Sequence, residues 1–364
     1  MAPAHLVVDI TGHGYGHLAQ VAPVVVELRA RRPGLRLTVR SLVREPVLRL
    51  VLDDAVALAP PPPDVGLPMN GPVEVDRAAA AAAYAELHVD WPAVVAAEAA
   101  RLAALGPDLL LSDVGYAGLA GAAAAGIPAV AMSSLNWADL YACYCGDRPE
   151  APRVHGEILA AYRSARLFLQ LAPHLPMTDL PNRRPVGPVA GRGRDRRAEL
   201  AAKLGLGAGE KLVLVTLGGI AMNGEVKALP VLPGVRWLVA SGLALDGRAD
   251  VEPAEAQGLG FDDLIRSCDA VVTKPGYGTI VGAVCGGRRI VYCERPDWPE
   301  TPALDGWAKR HGAALMISRE ELAAGSYGAA LAGLLARPDP PPAAAGGAAE
   351  AADILAALMP AGSL

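Results

Sequence analysis

Short apolar runs alternate with longer amphipathic stretches along most of the chain. The runs at 6–10 (LVVDI), 35–41 (LRLTVRS), 108–113 (DLLLSD), 128–134 (PAVAMSS) and 167–172 (LFLQLA) are too short for core helices and are rich in Val and Leu. They predict strands buried on both faces, as in a parallel sheet. Between them, 21–32, 44–53, 76–104, 116–125 and 152–166 carry helical spacing, and the alanine-rich 76–104 is expected to divide at Pro92. The proline-rich 59–72 reads as a loop. The second half repeats the alternation. Helices are expected at 195–204, 261–267 and 279–285, and strands at 211–217, 235–241, 269–274 and 289–293. A tether (338–347, PDPPPAAAGG) leads to a closing helix at 348–358. Two successive βα series predict an α/β protein with two Rossmann-like parallel-sheet domains facing a cleft. The stretch 173–197, rich in Pro, Arg and Gly, is the expected boundary. The domains are placed at 1–185 and 186–340, with 341–364 as tether and closing helix.

Composition narrows the function classes. The 364 residues suit about two domains. Hydrophobic residues make up 52%, with only two Phe, so the core is built from Ala, Val and Leu. A net charge of −5 gives no general grip on nucleic acid. The basic run at 192–197 (RGRDRR) is short and reads as a solvated face. Five cysteines without a CxxC pair suggest neither a disulfide framework nor a zinc site. No signal peptide or clean membrane span is evident, so a cytoplasmic location is expected, with peripheral membrane contact left open.

Three glycine-rich loops follow predicted strands: GHGYG (12–16), LGGIAMNG (217–224) and KPGYG (274–278). Glycine lets a backbone approach a ligand closely, and the following helix N-terminus suits phosphate. A P-loop pattern is absent, and GHGYGH misses the dinucleotide fingerprint because its third glycine comes one residue early. Any one of these loops alone reads as a tight turn. Together they point to a nucleotide-type ligand, with Gly14, Gly218, Gly219, Lys274, Gly276, Tyr277, Gly278 and Thr279 as candidate donor or phosphate contacts. In KPGYGT, Lys274 adds charge at a strand end and Thr279 adds a hydroxyl near the next helix start.

His13 and His17 are four residues apart, but no carboxylate motif completes a metal site, so neither a metal nor a cofactor is expected. An imidazole general base fits better, since its ordinary titration lies near neutrality. Asp113 ends the strand DLLLSD and is the candidate orienting acid. Capping of helix 116–125 is its competing role, and Asp9 is a weaker rival.

These residues resemble a family. TGHGYGHLAQVAPVVVELRARR is similar to the opening of GT-B nucleotide-sugar glycosyltransferases, in the branch containing the lipid-linked muramyl-peptide N-acetylglucosaminyltransferase. VTKPGYGTIVGAVCGGRRIVYCERPDWPETPAL resembles their donor-binding segment. The glycosyltransferase-like half of arabinokinases shares TGHGYGH, KPGYGT and the region SLNWADLY. The resemblance spans most of residues 5–335 and implies a GT-B fold, with His17 as catalytic base and Asp113 as its partner. It further implies that Gly218 and Gly219 face phosphate, that Glu300 meets the donor sugar, and that the closing helix crosses back onto the first domain. Candidate acceptor contacts are His13, Asn136, Trp137 and Tyr141, together with Trp91. One position departs from the pattern: Gly282 stands where the family carries a ribose-gripping glutamate. The implied activity is inverting, metal-independent transfer of a sugar from a UDP, dTDP or GDP donor to an unidentified acceptor hydroxyl. A hydrolase or epimerase of the same fold, or a non-catalytic nucleotide-sugar-binding protein, is the alternative.

Overall fold

The structure is a computed structural model that describes residues 3–71, 73–218, 226–240 and 248–360. The chain divides into two compact units. One comprises Met1–Asn70, Val75–Val189 and Gly346–Leu364, the other Gly71–Glu74 and Ala190–Ala345.

The first unit is built on β1 (His5–Ile10), β2 (Arg36–Ser41) and β3 (Ala57–Ala59). A two-stranded ladder, β4 (Met69–Asn70) and β5 (Glu74–Val75), precedes β6 (Leu109–Asp113), β7 (Ala129–Ser133), β8 (Leu167–Leu171) and β9 (Arg183–Val186). The seven-stranded sheet runs β3-β2-β1-β6-β7-β8-β9, and its pairings are parallel. Every residue of β1, β6 and β7 is buried, which is why these strands read as unbroken apolar runs. Strand order reverses at β1, which lies between β2 and β6, so the crevice beyond the carboxyl ends of β1 and β6 is a topological switch point.

The helices of this unit are α1 (Gly16–Arg31), α2 (Glu45–Leu52), α3 (Arg77–Leu87), α4 (Trp91–Leu105), α5 (Tyr116–Ala124), α6 (Trp137–Cys145) and α7 (Ala151–Ser164). Three local expectations are corrected. α1 begins at Gly16 and continues through Pro23, so His17 sits in a helical turn and not in the loop. The α3–α4 break falls at His88–Asp90, ahead of Pro92: Asp90 caps α4, and Pro92 takes a first-turn position where its missing N–H costs nothing. The stretch read as the domain boundary contains an edge strand, β9.

The second unit holds α8 (Arg197–Leu204), β10 (Lys211–Val215), β11 (Val235–Val239), β12 (Val251–Pro253), α9 (Phe261–Ser267), β13 (Ala270–Thr273), α10 (Tyr277–Cys285) and β14 (Arg289–Cys293). Then come α11 (Thr301–His311), β15 (Ala314–Ile317), α12 (Arg319–Ala324) and α13 (Gly328–Leu335). Its parallel sheet runs β12-β11-β10-β13-β14-β15, with a switch point between β10 and β13. Trp237, Val272 and Tyr327 lie in its core. Within the basic run Arg196 pairs with Glu199 and Arg197 with Asp269, while its one acid, Asp195, pairs with Arg288.

The last helix, α14 (Gly347–Leu358), packs on α1 within the first unit. Arg31 bonds Asp353, and Arg32 donates to the carbonyls of Ala356 and Pro360 at 2.6 Å each. Among the described residues, no helix is long and apolar enough to cross a membrane.

Candidate active site

The candidate residues gather at the two switch points. In the first unit, the chain leaves β1 through Thr11, whose N–H donates to the Asp113 carbonyl at 2.8 Å and ties the exit of β1 to the end of β6. Gly12 passes so close to Leu42 that an added Cβ would stand 2.6 Å from its Cβ. Gly14 takes a left-handed φ of +72°, which turns the chain into α1. His17 follows in the first turn, and its Nδ1 lies 2.7 Å from Asp113 Oδ1. Both residues are buried, His17 to 4% exposure and Asp113 to 0%. A carboxylate only accepts, so the proton of this bond sits on Nδ1, and in the neutral ring Nε2 keeps the lone pair. That is the tautomer a general base requires.

Several groups hold the imidazole in place. The Trp137 ring lies 5.8 Å from the His17 ring and 5.6 Å from that of His13. One turn along α1, the Gln20 side chain accepts from Ser133 Oγ at 3.0 Å and donates to Ser134 Oγ at 3.1 Å, anchoring the helix to the end of β7. Asn136 Oδ1 accepts from the Asp139 N–H at 2.8 Å and caps α6. Tyr141 packs edge-on against Tyr84 at 4.8 Å. Asn136, Trp137 and Tyr141, expected as acceptor contacts, are each 1% exposed or less, and of the three Trp137 packs against the histidines. Trp91 stacks on His88. His13 is half-buried. The alternatives for the acid fail on geometry. α5 is preceded by Gly115 with no side-chain cap, so Asp113 does not cap it. Asp9 gives both oxygens to Arg40, at 2.6 and 2.7 Å.

Asp64 was missed because it lies in the proline-rich segment read as a plain loop. Its Oδ2 accepts from the Thr11 hydroxyl. No spacing rule in the sequence singles it out.

In the second unit, the Thr216 N–H bonds the Val272 carbonyl at 2.9 Å, and Gly218 takes a φ of +81°. Gly219 lies outside the described residues. Lys274 leaves β13 between two glycine loops: a Cβ on Gly218 would stand 3.6 Å from its Cε, and one on Gly276 4.0 Å from its Nζ. Burial, then the Arg295 charge, brings the Lys274 ammonium down to about 8. Gly276 precedes α10, whose first-turn amides, those of Gly278 and Thr279 among them, have no acceptor within the helix. Tyr277 is buried. Gly282 faces Ile265, with a virtual Cβ 3.6 Å from Cδ1, and brings no carboxylate.

Arg295 is a second cation that sequence reading passed over. It is 2% exposed, donates from Nε to the Val73 carbonyl at 2.9 Å and stacks its guanidinium 3.9 Å over Trp298. Trp298 Nε1 donates to Glu300 Oε2 at 3.3 Å. Glu300 is 3% exposed and lies beside this cationic pair, not in a solvated loop. Among the described residues, no group of three or more His, Cys, Asp or Glu side chains is placed to hold a metal ion.

Comparison with solved structures agrees with two parallel-sheet Rossmann-like units, each presenting a switch-point loop. The chain superposes on the glycotransferase of kitacinnamycin with a TM-score of 0.65 at 18% identity, over 98% of this chain and 100% of that one. The fold is GT-B. A second GT-B structure, the glycosyltransferase VinC in complex with dTDP, matches with a TM-score of 0.58 at 18% identity, over 98% and 96% of the two chains. Among curated proteins, L-arabinokinase of Arabidopsis thaliana is 25% identical over 332 residues, 87% of this chain. This GT-B chain spans 31% of that relative's length. No protein-family model matches the chain.

Proposed function

We propose that the chain is an inverting glycosyltransferase that moves a sugar from a nucleoside diphosphate to an acceptor hydroxyl without a metal ion. The observation that carries this reading is the buried His17–Asp113 pair at a switch point of a GT-B fold. His17 Nε2 takes the hydroxyl proton while Asp113 holds the Nδ1 proton and stabilises the imidazolium. The freed oxygen attacks the anomeric carbon from the face opposite the diphosphate. The bond from that carbon to the phosphate oxygen breaks, and its electron pair leaves with the diphosphate. Lys274, Arg295 and the first-turn amides of α10 supply the positive potential for that leaving group. Glu300, beside them, takes donor-sugar hydroxyls. The VinC complex makes dTDP the first nucleotide to try, with UDP and GDP beside it.

The test is a thermal-shift panel of nucleoside diphosphates and their sugars, followed by turnover of whichever sugar binds. A ligand at about 100 Kd stabilises by about 2.7 kcal/mol. Transfer to an added acceptor supports the reading. Stoichiometric release of free sugar without acceptor replaces it with a hydrolase, and no stabilisation by any nucleotide refutes it.

A further inference from the structure

The segment that leaves β3 for β4 lies over the His17 loop and brings one carboxylate with it. Asp64 Oδ2 is held by the Thr11 hydroxyl, two residues before His13. On its other side, a Cβ on Gly115 would stand 3.7 Å from the Asp64 Cγ, two residues after Asp113. Asp64 is therefore flanked by the two loops that carry the dyad. The segment is fastened there. Tyr84 donates to the Gly66 carbonyl at 3.0 Å, and Gly66 adopts a φ of +57° against His13, where an added Cβ would meet the His13 Cβ at 3.3 Å. The Asp64 carboxylate is buried, and the Gly66 N–H stabilises its charged form beside the Thr11 hydroxyl.

We propose that Asp64 is a second carboxylate of the His17 centre, a positioning residue whose negative charge favours the proton that His17 takes from the acceptor. The role rests on His17 acting as the base. Electrostatics agree with the placement: burial raises the Asp64 carboxyl above its ordinary range, while the Thr11 bond, the His17 charge and the Gly66 N–H pull it back. The other ionisable groups facing the pair are Asp113 from β6, His13 from the loop, Asp9 with its Arg40 partner, and the buried tyrosines Tyr84, Tyr116 and Tyr162. Asp9 is neutralised by Arg40 through two hydrogen bonds. Asp64 has no arginine on it among the described residues, so its charge remains for His17.

The test needs no sugar. The Asp64 carboxyl is followed by 13C NMR across pH in the wild type and in His17→Gln, and the His17 ring Cε1–H in the wild type and in Asp64→Asn. Loss of the imidazole is expected to move the Asp64 midpoint up, and loss of the carboxylate to move the His17 midpoint down. Each shift is about half a pH unit or more, roughly threefold in proton affinity. Linkage makes the two shifts reciprocal, so either variant alone decides the matter if the other fails to fold. His155 and His311 should keep their midpoints. Unmoved Asp64 and His17 midpoints, or shifts of the opposite sign, overturn the assignment. If transfer is never found but the midpoints move, the coupling stands and the enzymatic reading falls. If transfer needs His17 but the midpoints do not move, the role of Asp64 falls alone.

Discussion

Replacing Asp113 by asparagine tests the dyad with the least change of shape. The side chain is fully buried, and the bond at stake is 2.7 Å long. The asparagine carbonyl can still accept from Nδ1, so the imidazole keeps much of its orientation. What disappears is the negative charge that stabilises the imidazolium formed as the acceptor proton arrives. A hydrogen bond to a charged group contributes about 1.5–3 kcal/mol. At about 1.36 kcal/mol per decade, that corresponds to a loss of roughly 10–150-fold in kcat. If the amide rotates and donates to Nδ1, the lone pair moves to the wrong nitrogen and the loss deepens. On the proposed reading the donor is bound by the loops of the other unit, so the donor KM should stay within about twofold of wild type. The assay is release of nucleoside diphosphate at saturating donor and acceptor, beside a thermal melt showing that the variant is folded. A folded Asp113→Asn protein with kcat within about threefold of wild type would refute the dyad. So would a loss confined to the donor KM.

Three further outcomes follow from the same geometry. Lys274 is brought down to about 8 by burial, and a bound diphosphate must raise it again, so proton uptake accompanies binding. Nucleoside diphosphate affinity should hold steady below about pH 8 and fall as pH rises beyond it, and Lys274→Met should weaken binding about 10–150-fold and remove that slope. Calorimetric titrations from pH 7 to 9.5 check this, and a flat wild-type profile counts against it. Arg40 bonds Asp9 and, at 2.9 Å, Glu98 inside the first unit, so Arg40→Met leaves the buried Asp9 unpaired and Glu98 held by Arg101 alone, and should cost about 3–5 kcal/mol in denaturant melts. Gly66→Ala puts a side chain at a left-handed φ and against His13, so it should cost about 1–2 kcal/mol in the same melts and lower kcat; a neutral result would show that the segment is not fastened as described.

The sheet strands nearest the site were legible because each is buried on both faces and therefore written in uninterrupted apolar residues, as LVVDI and DLLLSD are. The glycine loops were legible because Gly14 and Gly218 need positive φ where the chain turns from strand to helix or loop. The edges were not. β9, β12 and β15 are short and partly exposed, so their composition does not mark them as strands. The start of α1 was placed too late because Gly16 and His17 look like loop residues, although a helix can begin on glycine when the previous turn has already set its direction. Asp113 was found from its place at a strand end. Asp64 and Arg295 lie in proline-interrupted segments, and only the fold brings them to a site.

Charge divides the labour between the two units before any question of which sugar is moved. The first unit gathers Asp113 and Asp64 about His17, with Asp9 neutralised by Arg40. A diphosphate placed there would bring its negative charges beside two carboxylates. Each like-charge pair at about 4 Å costs on the order of 4 kcal/mol at an effective dielectric of about 20. A neutral hydroxyl meets no such barrier, and on the proposed reading the same carboxylates favour the proton that His17 takes from it. The second unit is the reverse. Lys274 and Arg295 lie close enough to depress the lysine, with Glu300 as their counter-charge. Two cations forced together in a buried setting are relieved by an incoming anion, and helix α10 points its N-terminal amides from the same loop. On these grounds we propose that Gly14, expected as a phosphate contact from its loop alone, serves the acceptor side, and that the diphosphate goes to the loops that carry Gly218 and Lys274.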